Sequence, residues 1–434
     1  MSELHEIAEK HLVRYGGAFA EAIIERAKGT VLYTTDGREI LDFTSGQMSA
    51  ILGHANPEVL KAIRQASESV AHLHSSQRSP AVIRLAEKLA TLLPPSLSKA
   101  MFLSTGGEAN ECAIRMAKLY TGGFEIVGFD RAWHGMTGGA ASTTYTGGRR
   151  GYGPAMAGSM VLPTPDRYRS RFVRDGHYDW EAELDMGFDM IDRQSVGALA
   201  AVIIEPILSS GGIVEIPDGY LTRLKAKCHE RGMLLILDEA QTGIGRTGTN
   251  FAFERDGVAP DILTLSKTLG AGLPLSAVIT SPEIEQRCHE RGFLFFTTHA
   301  NDPLPAAVGL CVVEALVRDN LAAQAKELGA YMKQGFLDLQ QKYEAIGDVR
   351  GRGLMVGVEL VEDRQTRKAA MGLCDRVTDL CLAYGVNMNI ARLGSLASVF
   401  RVAPPLTVSK DEIDRMLGIF DRALGEATGR RSAA

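Results

Sequence analysis

Four short apolar runs without a polar face, residues 125–129 (EIVGF), 199–204 (LAAVII), 233–237 (MLLIL) and 261–265 (DILTL), can be strands only if both of their sides are covered. Between them lie stretches with apolar residues at helical spacing, among them 110–120 (NECAIRMAKLY) and 219–230 (GYLTRLKAKCHE). Strand and helix alternating in this way build an open, mostly parallel sheet. Many of the 46 glycines follow short apolar runs, as expected where parallel strands hand over to helices. From about residue 305 the pattern changes to long amphipathic helices, 305–318 and 322–343, ahead of a short strand signal at 353–360 (GLMVGVEL). Near the start, VLYTTDGREILDF places an Asp36-Gly37 turn signal between two alternating strands. This hairpin is expected to pack with the C-terminal part of the chain, away from the sheet. The expected division is an N-terminal arm over 1–51, a large domain over 52–304, and an interdomain helix with a C-terminal small domain over 305–434. The last residues, GRRSAA, read as a frayed tail.

At 434 residues the chain is long enough for two or three domains. Its 45% apolar and 23% charged residues fit a soluble globular protein and exclude a disordered one. With a net charge of −5 there is no basic stripe to neutralise a phosphate backbone, so small molecules are expected as partners and nucleic acid is not. No uninterrupted apolar run approaches the length of a membrane span. The first residues, MSELHEIAEK, are charged where a secretory signal is apolar, and a cytoplasmic protein is expected. The six cysteines (Cys112, Cys228, Cys288, Cys311, Cys374, Cys381) form no C-x-x-C pair, so reduced and mostly buried thiols are expected.

The strongest local signal is a strand that runs straight into acids, LLILDEAQTG, followed by a second strand that ends at a lysine, ILTLSKTLGAG. Asp238 and Lys267 both fall at strand carboxyl ends, the edge where open α/β sheets bind ligands. A lysine partly withdrawn from water there has its pKa lowered and becomes a nucleophile toward an aldehyde; a plain surface lysine is the rival reading. A pyridoxal ring requires an anion at its pyridine nitrogen, a role that Asp238 suits. Its phosphate requires backbone N–H groups at a helix start, which Ser104-Thr105-Gly106-Gly107-Glu108 offers, although ordinary N-capping reads the same. Trp133, in DRAWHGMTG, is a candidate cover for the ring, with plain core packing as the rival. A competing Gly243-Ile244-Gly245-Arg246-Thr247-Gly248 matches the dinucleotide-binding G-x-G-x-x-G. No clean amphipathic helix follows it, and Asp238 and Glu239 precede the glycines instead of lying about twenty residues beyond. His72, His74 and His134 lack the paired spacing of a zinc site, so no catalytic transition metal is expected.

Taken in order, the blocks LDFTSGQMSAILGHANPEV, STGGEANECAIRMAK, AWHGMTGGA, IIEPILSSGG, LLILDEAQTGIGRTG, ILTLSKTLGAG and TTHANDPLPAAVGL resemble the class III (subgroup II) aminotransferases of pyridoxal-phosphate fold type I over nearly the whole chain. The resemblance implies an α/β fold with a mainly parallel seven-stranded sheet between helices, plus a smaller α+β domain built from both chain ends. It implies pyridoxal 5'-phosphate as cofactor and amino-acid and keto-acid substrates. By it, Lys267 is the Schiff-base lysine, Asp238 the partner of the pyridine nitrogen, Gln241 the neighbour of the ring oxygen and Trp133 the stacking ring. Thr105, Gly106 and Gly107 grip the phosphate, and Thr298 reaches the phosphate of the other subunit. A homodimer at least is therefore implied, with a homotetramer expected.

Within the family the likeness is greatest to the 2,2-dialkylglycine decarboxylases, which decarboxylate disubstituted amino acids and then transaminate pyruvate. It implies that Gln47, in TSGQMSA, contacts the substrate carboxylate, and that Arg401, in SVFRVAPPL, binds a carboxylate through its planar fork. Ser210, in EPILSSGG, stands where many members carry a glutamate. Met48, Met136 and Phe296 are expected around the substrate, with plain packing equally open for the methionines. Two potassium or sodium sites are implied, one at Leu73, Ser75, Thr298, Ala300 and Asp302 and one at Ala90, Leu93, Pro94 and Leu97. Oxygen ligands suit such hard cations. Segments 74–78 (HSSQR) and 391–395 (ARLGS), expected near the substrate entrance, depart from the decarboxylase pattern. The alternative is a plain aminotransferase acting on an ω- or α-amino acid. A non-catalytic protein that retains the fold is a third reading, against which Lys267 with Asp238 argues.

Overall fold

The computed structural model describes residues 3–16, 19–147, 149–392 and 397–429. Its centre is a seven-stranded sheet of β1 (Lys99–Leu103), β2 (Glu125–Phe129), β3 (Ser159–Leu162), β4 (Leu199–Ile204), β5 (Leu234–Asp238), β6 (Ile262–Leu265) and β7 (Ser276–Thr280). The spatial order is β1-β7-β6-β5-β4-β2-β3. β7 runs antiparallel to β1 and β6, and the other pairs are parallel. Two of the four apolar runs match β2 and β4 residue for residue. The other two strands begin one residue later than expected, at Leu234 and Ile262, and β5 continues to Asp238. At β6 the cause is Asp261, whose carboxylate accepts a hydrogen bond from the Leu235 N–H at 2.7 Å and so closes the strand entrance.

Alternate residues of each inner strand enter two different apolar clusters. Val202, Ile204, Leu235 and Leu237 pack on one side of the sheet, and Ala201, Ile203, Leu234 and Ile236 on the other. Period-two alternation persists, but with both faces covered it is invisible as a polar–apolar pattern. Two helices matter most for the site, α1 (Pro80–Leu92) and α2 (Gly106–Thr121), and a pair of long ones follows the sheet, α3 (Pro303–Arg318) and α4 (Leu321–Lys342). α2 starts four residues before the sequence expectation because Thr105 and Glu108 form a reciprocal capping box that outweighs the poor helix propensity of Gly106 and Gly107. It stops at Gly122, whose φ of 82° is the left-handed conformation that glycine adopts without a Cβ clash.

The N-terminal hairpin forms as expected, with Val31–Thr34 antiparallel to Glu39–Asp42. Glu39–Asp42 also pairs in parallel with Val386–Asn387, so this arm joins the C-terminal part of the chain. A five-stranded sheet that includes Ile346–Arg352, Met355–Asp363 and Ser398–Val402 carries Arg401. No disulfide joins any of the six cysteines, and five are buried. Among the described residues no helix is long and apolar enough to cross a membrane.

The glycine-rich 243–248 segment has a structural use. A Cβ on Gly248 would stand 3.0 Å from Lys326 Cβ and one on Gly245 2.6 Å from Leu316 Cδ1, so the glycines admit close approach of α3 and α4. Arg246 between them is fully buried and donates to Leu354 O at 3.1 Å, to the Pro404 carbonyl and to Ser45 Oγ at 3.3 Å. Burial pushes its pKa down to about 9. Arg246→Met keeps the bulk but strands these acceptors. It is expected to lower stability by about 3 kcal/mol, read as a fall in the urea midpoint; an unchanged midpoint would show that the guanidinium ties nothing together.

Candidate active site

The carboxyl ends of several strands open on one cavity of about 360 Å³. β1 leads to Ser104–Gly107, β2 to Trp133 and His134, β5 ends at Asp238, and β6 runs into Lys267. Asp238 pairs in register with Thr264, which places Asp238 and Lys267 at the ends of neighbouring strands as their spacing implied. Gln47 enters the same cavity from the N-terminal arm.

Lys267 adopts a φ of 27°, a strained backbone for a residue with a Cβ, of the kind found where function over-determines conformation. Burial lowers its pKa most, Asp238 and Glu205 oppose that, and the Arg401 charge lowers it further. The result favours the neutral, nucleophilic amine.

Asp238 is held by three donors. Its Oδ2 accepts from Asn110 Nδ2 at 2.7 Å and from His134 Nδ1 at 2.8 Å, and its Oδ1 from the Ala240 N–H at 3.0 Å. Asn110 is itself oriented, accepting from Thr264 Oγ1 at 2.7 Å and donating to His134 O at 2.8 Å. Burial works to raise the Asp238 carboxyl, but the hydrogen bond and charge of His134, together with Lys267, outweigh it and hold the group below its usual value. A carboxylate is thus kept ionised with almost no water around it, which suits a partner for a protonated ring nitrogen.

The N–H groups of Gly106 and Gly107 occupy the first turn of α2, where no helical carbonyl can receive them, at the positive end of the helix dipole. Space is kept open there: a Cβ on Gly135, whose φ is 126°, would lie 2.5 Å from Gly107 Cα. An amine, a buried anion and an anion-binding helix start around one cavity fit the aldehyde, ring nitrogen and phosphate of pyridoxal phosphate.

Glu205, which the sequence reading passed over, lies fully buried behind Trp133. It accepts from the Trp133 N–H at 3.0 Å and the Ser209 N–H at 3.1 Å. Burial pushes its pKa up to about 7, with His134 opposing and Asp238 adding to the rise. Gln241 is buried and its Oε1 accepts from Ser209 Oγ at 2.8 Å. Arg401 gives Nη2 to Asn389 Oδ1 at 2.6 Å and Nη1 to Ser210 Oγ at 3.4 Å, so Asn389 is a further missed residue. No local motif announces Asn110, Glu205 or Asn389; each acts through contacts with residues distant in sequence.

Other expected residues fall elsewhere. Met48 is buried in a small apolar cluster with Ile207, Ile213, Met355 and Ala403, which is a packing role. Met136 and Phe296 are exposed and Thr298 sits exposed on a turn; none of these lines the cavity within one chain. At the first expected alkali site, Ala300 is buried and both Asp302 oxygens are taken, Oδ1 by His72 Nδ1 and Oδ2 by His299 Nδ1, each at 2.6 Å. Leu73 and Ser75 lie half-buried on the loop ahead of α1. At the second, Ala90 is inside α1, Leu93 is its C-cap, and the Pro94 carbonyl accepts from the Leu97 N–H at 2.8 Å. Of segment 391–395, residues 393–395 lie outside the described residues.

Residues 15–424 match the family described as aminotransferase class-III. The chain belongs to that family. It is similar to an uncharacterized aminotransferase of Schizosaccharomyces pombe, 54% identical over 96% of this chain and 93% of the relative. It is also similar to the leucine/methionine racemase of Thermococcus litoralis, 34% identical over 94% of this chain and 91% of the relative. A solved Bacillus anthracis aminotransferase superposes with a TM-score of 0.92 at 26% identity, covering 98% of each chain. The fold of this class III aminotransferase is accordingly fold type I, and pyridoxal phosphate is the cofactor expected of the family.

Proposed function

We propose that this class III aminotransferase decarboxylates 2,2-dialkylglycines, such as 2-aminoisobutyrate, to a ketone and carbon dioxide, and is restored by transamination of pyruvate to alanine. The observation that carries this reading is an amide, Gln47, facing the cavity that holds Lys267 and Asp238. It sits on a turn with three residues at positive φ, Ser45 at 43°, Gly46 at 68° and Met48 at 61°, and has no protein hydrogen-bond partner among the described residues. The strained backbone is costly unless function uses it, and the Gln47 side chain is exposed, so its amide is free to meet water or a ligand.

Pyridoxal phosphate would be held by Lys267, by Asp238 at its ring nitrogen and by Thr105, Gly106 and Gly107 at its phosphate, and supplies an electron sink for the bond that breaks. Trp133 would cover the ring, its backbone fixed by Glu205. The substrate carboxylate then has two stations. Gln47 can donate a single hydrogen bond to it, while Arg401 offers a two-pronged charged fork. Among the described residues Arg401 has no carboxylate partner and is held by Asn389 and Ser210, so its charge is left for a substrate carboxylate in both half-reactions. A dialkyl amino acid has no α-proton, and loss of its carboxylate is the route open to it. Lys267, with its lowered pKa, would then carry the proton. Thr298, exposed on its turn, would complete the phosphate site of a second copy of the chain in this reading, which is the reason to expect a homodimer or larger. Potassium and sodium are left out of this reading because Asp302 is engaged by imidazoles.

The test is carbon dioxide release from 2-aminoisobutyrate with pyruvate. Gas and alanine in equal amounts are expected, and Gln47→Ala should lower kcat/KM for decarboxylation about 100-fold while leaving amino exchange between alanine and pyruvate within about threefold. Amino transfer without gas would select the plain aminotransferase acting on an ω- or α-amino acid. Interconversion of L- and D-amino acids without a keto acid would align the chain with its Thermococcus relative.

A further inference from the structure

The tip of the hairpin formed by Ile207–Leu208 and Val214–Glu215 carries two residues of the site. Ser209 Oγ donates to Gln241 Oε1 at 2.8 Å, and Ser210 Oγ accepts from Arg401 Nη1 at 3.4 Å. The tip is tightly wound. Gly212 and Ile213 both donate their N–H to Ser209 O, at 3.0 and 3.1 Å, and Ile213 takes a φ of 55°. A β-branched residue in that conformation is strained, so its surroundings must hold it there.

What holds it is the five-stranded sheet. Arg350 lies directly opposite Gly357, and Gly357 directly opposite Arg401, on three adjacent strands. Residues so aligned project to one face of a sheet. The two arginines therefore flank a gap at the glycine, and the tip rests in it: a Cβ on Gly357 would stand 2.8 Å from Ile213 Cβ and 3.3 Å from Gly212 O. Arg350 Nε donates to that Gly212 carbonyl at 2.9 Å, while its Nη1 ion-pairs with Asp348 at 2.7 Å and with Glu359 at 2.8 Å. Glu359 is fully buried and also accepts from Arg169 Nε at 2.9 Å. Burial works to lower the Arg350 pKa, but the charges of Glu359, Asp348 and Asp166 outweigh it and hold it above its usual value.

We propose that Arg350 is a positioning residue for the substrate carboxylate: it seats the 209–213 tip in the gap at Gly357, which sets Ser210 beside Arg401 and keeps Ser209 on Gln241. Arg350 does not line the cavity of Lys267 and acts through the tip. Asn389 Oδ1 fixes one edge of the Arg401 fork, accepting from Nε at 3.2 Å and Nη2 at 2.6 Å, and the tip meets it at Nη1. Both contacts must be in place for the plane of the fork to be set, and a two-pronged carboxylate contact depends on that plane. This role rests on the proposed binding of the substrate carboxylate by Arg401, and holds for decarboxylation and plain transamination alike.

The test is calorimetric binding of propionate to the holoenzyme, since propionate offers a carboxylate with neither an amine nor a ketone. Arg401→Ala should abolish binding. Arg350→Met should weaken it about tenfold. Gly357→Ala fills the gap and leaves every ion pair in place; it should weaken binding by a similar factor, and it decides the matter should Arg350→Met fail to fold. Both variants should raise KM for pyruvate in amino exchange with alanine and leave kcat within about threefold. Arg169→Met takes the other cation from Glu359 without a hydrogen bond to the tip, so it should bind propionate as the wild type does. An equal loss in Arg169→Met overturns the proposal, because the effect would then belong to the buried ion pairs at large. Wild-type affinity in Arg350→Met and Gly357→Ala, with none in Arg401→Ala, overturns the role of Arg350 alone. Propionate that the wild type does not bind, or that Arg401→Ala binds equally well, overturns the carboxylate role of Arg401 and this one with it.

Discussion

Lys267→Ala is expected to lower turnover with any amino donor by at least about 10⁴-fold, since in the proposed function this one residue would supply both the covalent anchor and the moving proton. The environment is built around that amine. Burial lowers its pKa, and the β6 strand delivers it through a backbone strained at a φ of 27°. Alanine offers neither a nucleophile nor a base, and among the described residues no other lysine lines the cavity. The phosphate and ring contacts proposed for Gly106, Gly107 and Asp238 would not depend on Lys267, so the variant should still retain pyridoxal phosphate, with the spectrum of the free aldehyde in place of the lysine-bound form. Added methylamine should restore part of the rate by standing in for the missing proton carrier. Lys267→Arg should be as inactive as the alanine variant, because a guanidinium stays protonated. Activity within tenfold of wild type in Lys267→Ala would remove this residue from its proposed role.

What the sequence makes legible follows the range over which each cause acts. The β2 and β4 runs were readable to the residue because burial on both faces leaves only apolar side chains, bounded by polar ones. The start of α2 was not, because two glycines there argue against a helix while the Thr105–Glu108 capping box, a reciprocal pair three residues apart, argues for one and wins. Lys267 and Asp238 were legible as candidates on one cavity because strand ends are local signals with a general meaning. Their supports were not: Asn110 reaches Asp238 from α2, and His134 reaches it from the loop after β2. The His72–His299 pair was lost for the same reason. The glycines of 243–248 mislead in the opposite way, since a motif that elsewhere cradles phosphate here makes room for α4 and a buried arginine.

Asp238→Asn is expected to reduce kcat about 10³-fold with a much smaller change in KM, because it would remove charge from the place proposed for the ring nitrogen. The geometry makes the swap worse than isosteric. All three groups that meet the wild-type carboxylate are donors, Asn110 Nδ2, His134 Nδ1 and the Ala240 N–H. An asparagine amide accepts through only one of its two heavy atoms, so a donor must face a donor at the other. That conflict costs about 1–3 kcal/mol of local stability and should show as weaker cofactor retention. Asn110→Ala separates the two effects: it withdraws one of the three donors and leaves the anion, so it should lose roughly tenfold and keep the cofactor. Because His134 and Lys267 hold Asp238 below the ordinary carboxylate value, neither its ionisation nor the activity it supports should titrate across neutral pH. Unchanged kcat in Asp238→Asn with cofactor fully bound would mean that the ring draws no help from this anion, and the electron sink would have to be tuned by the buried Glu205, the other acid whose charge is felt at Lys267.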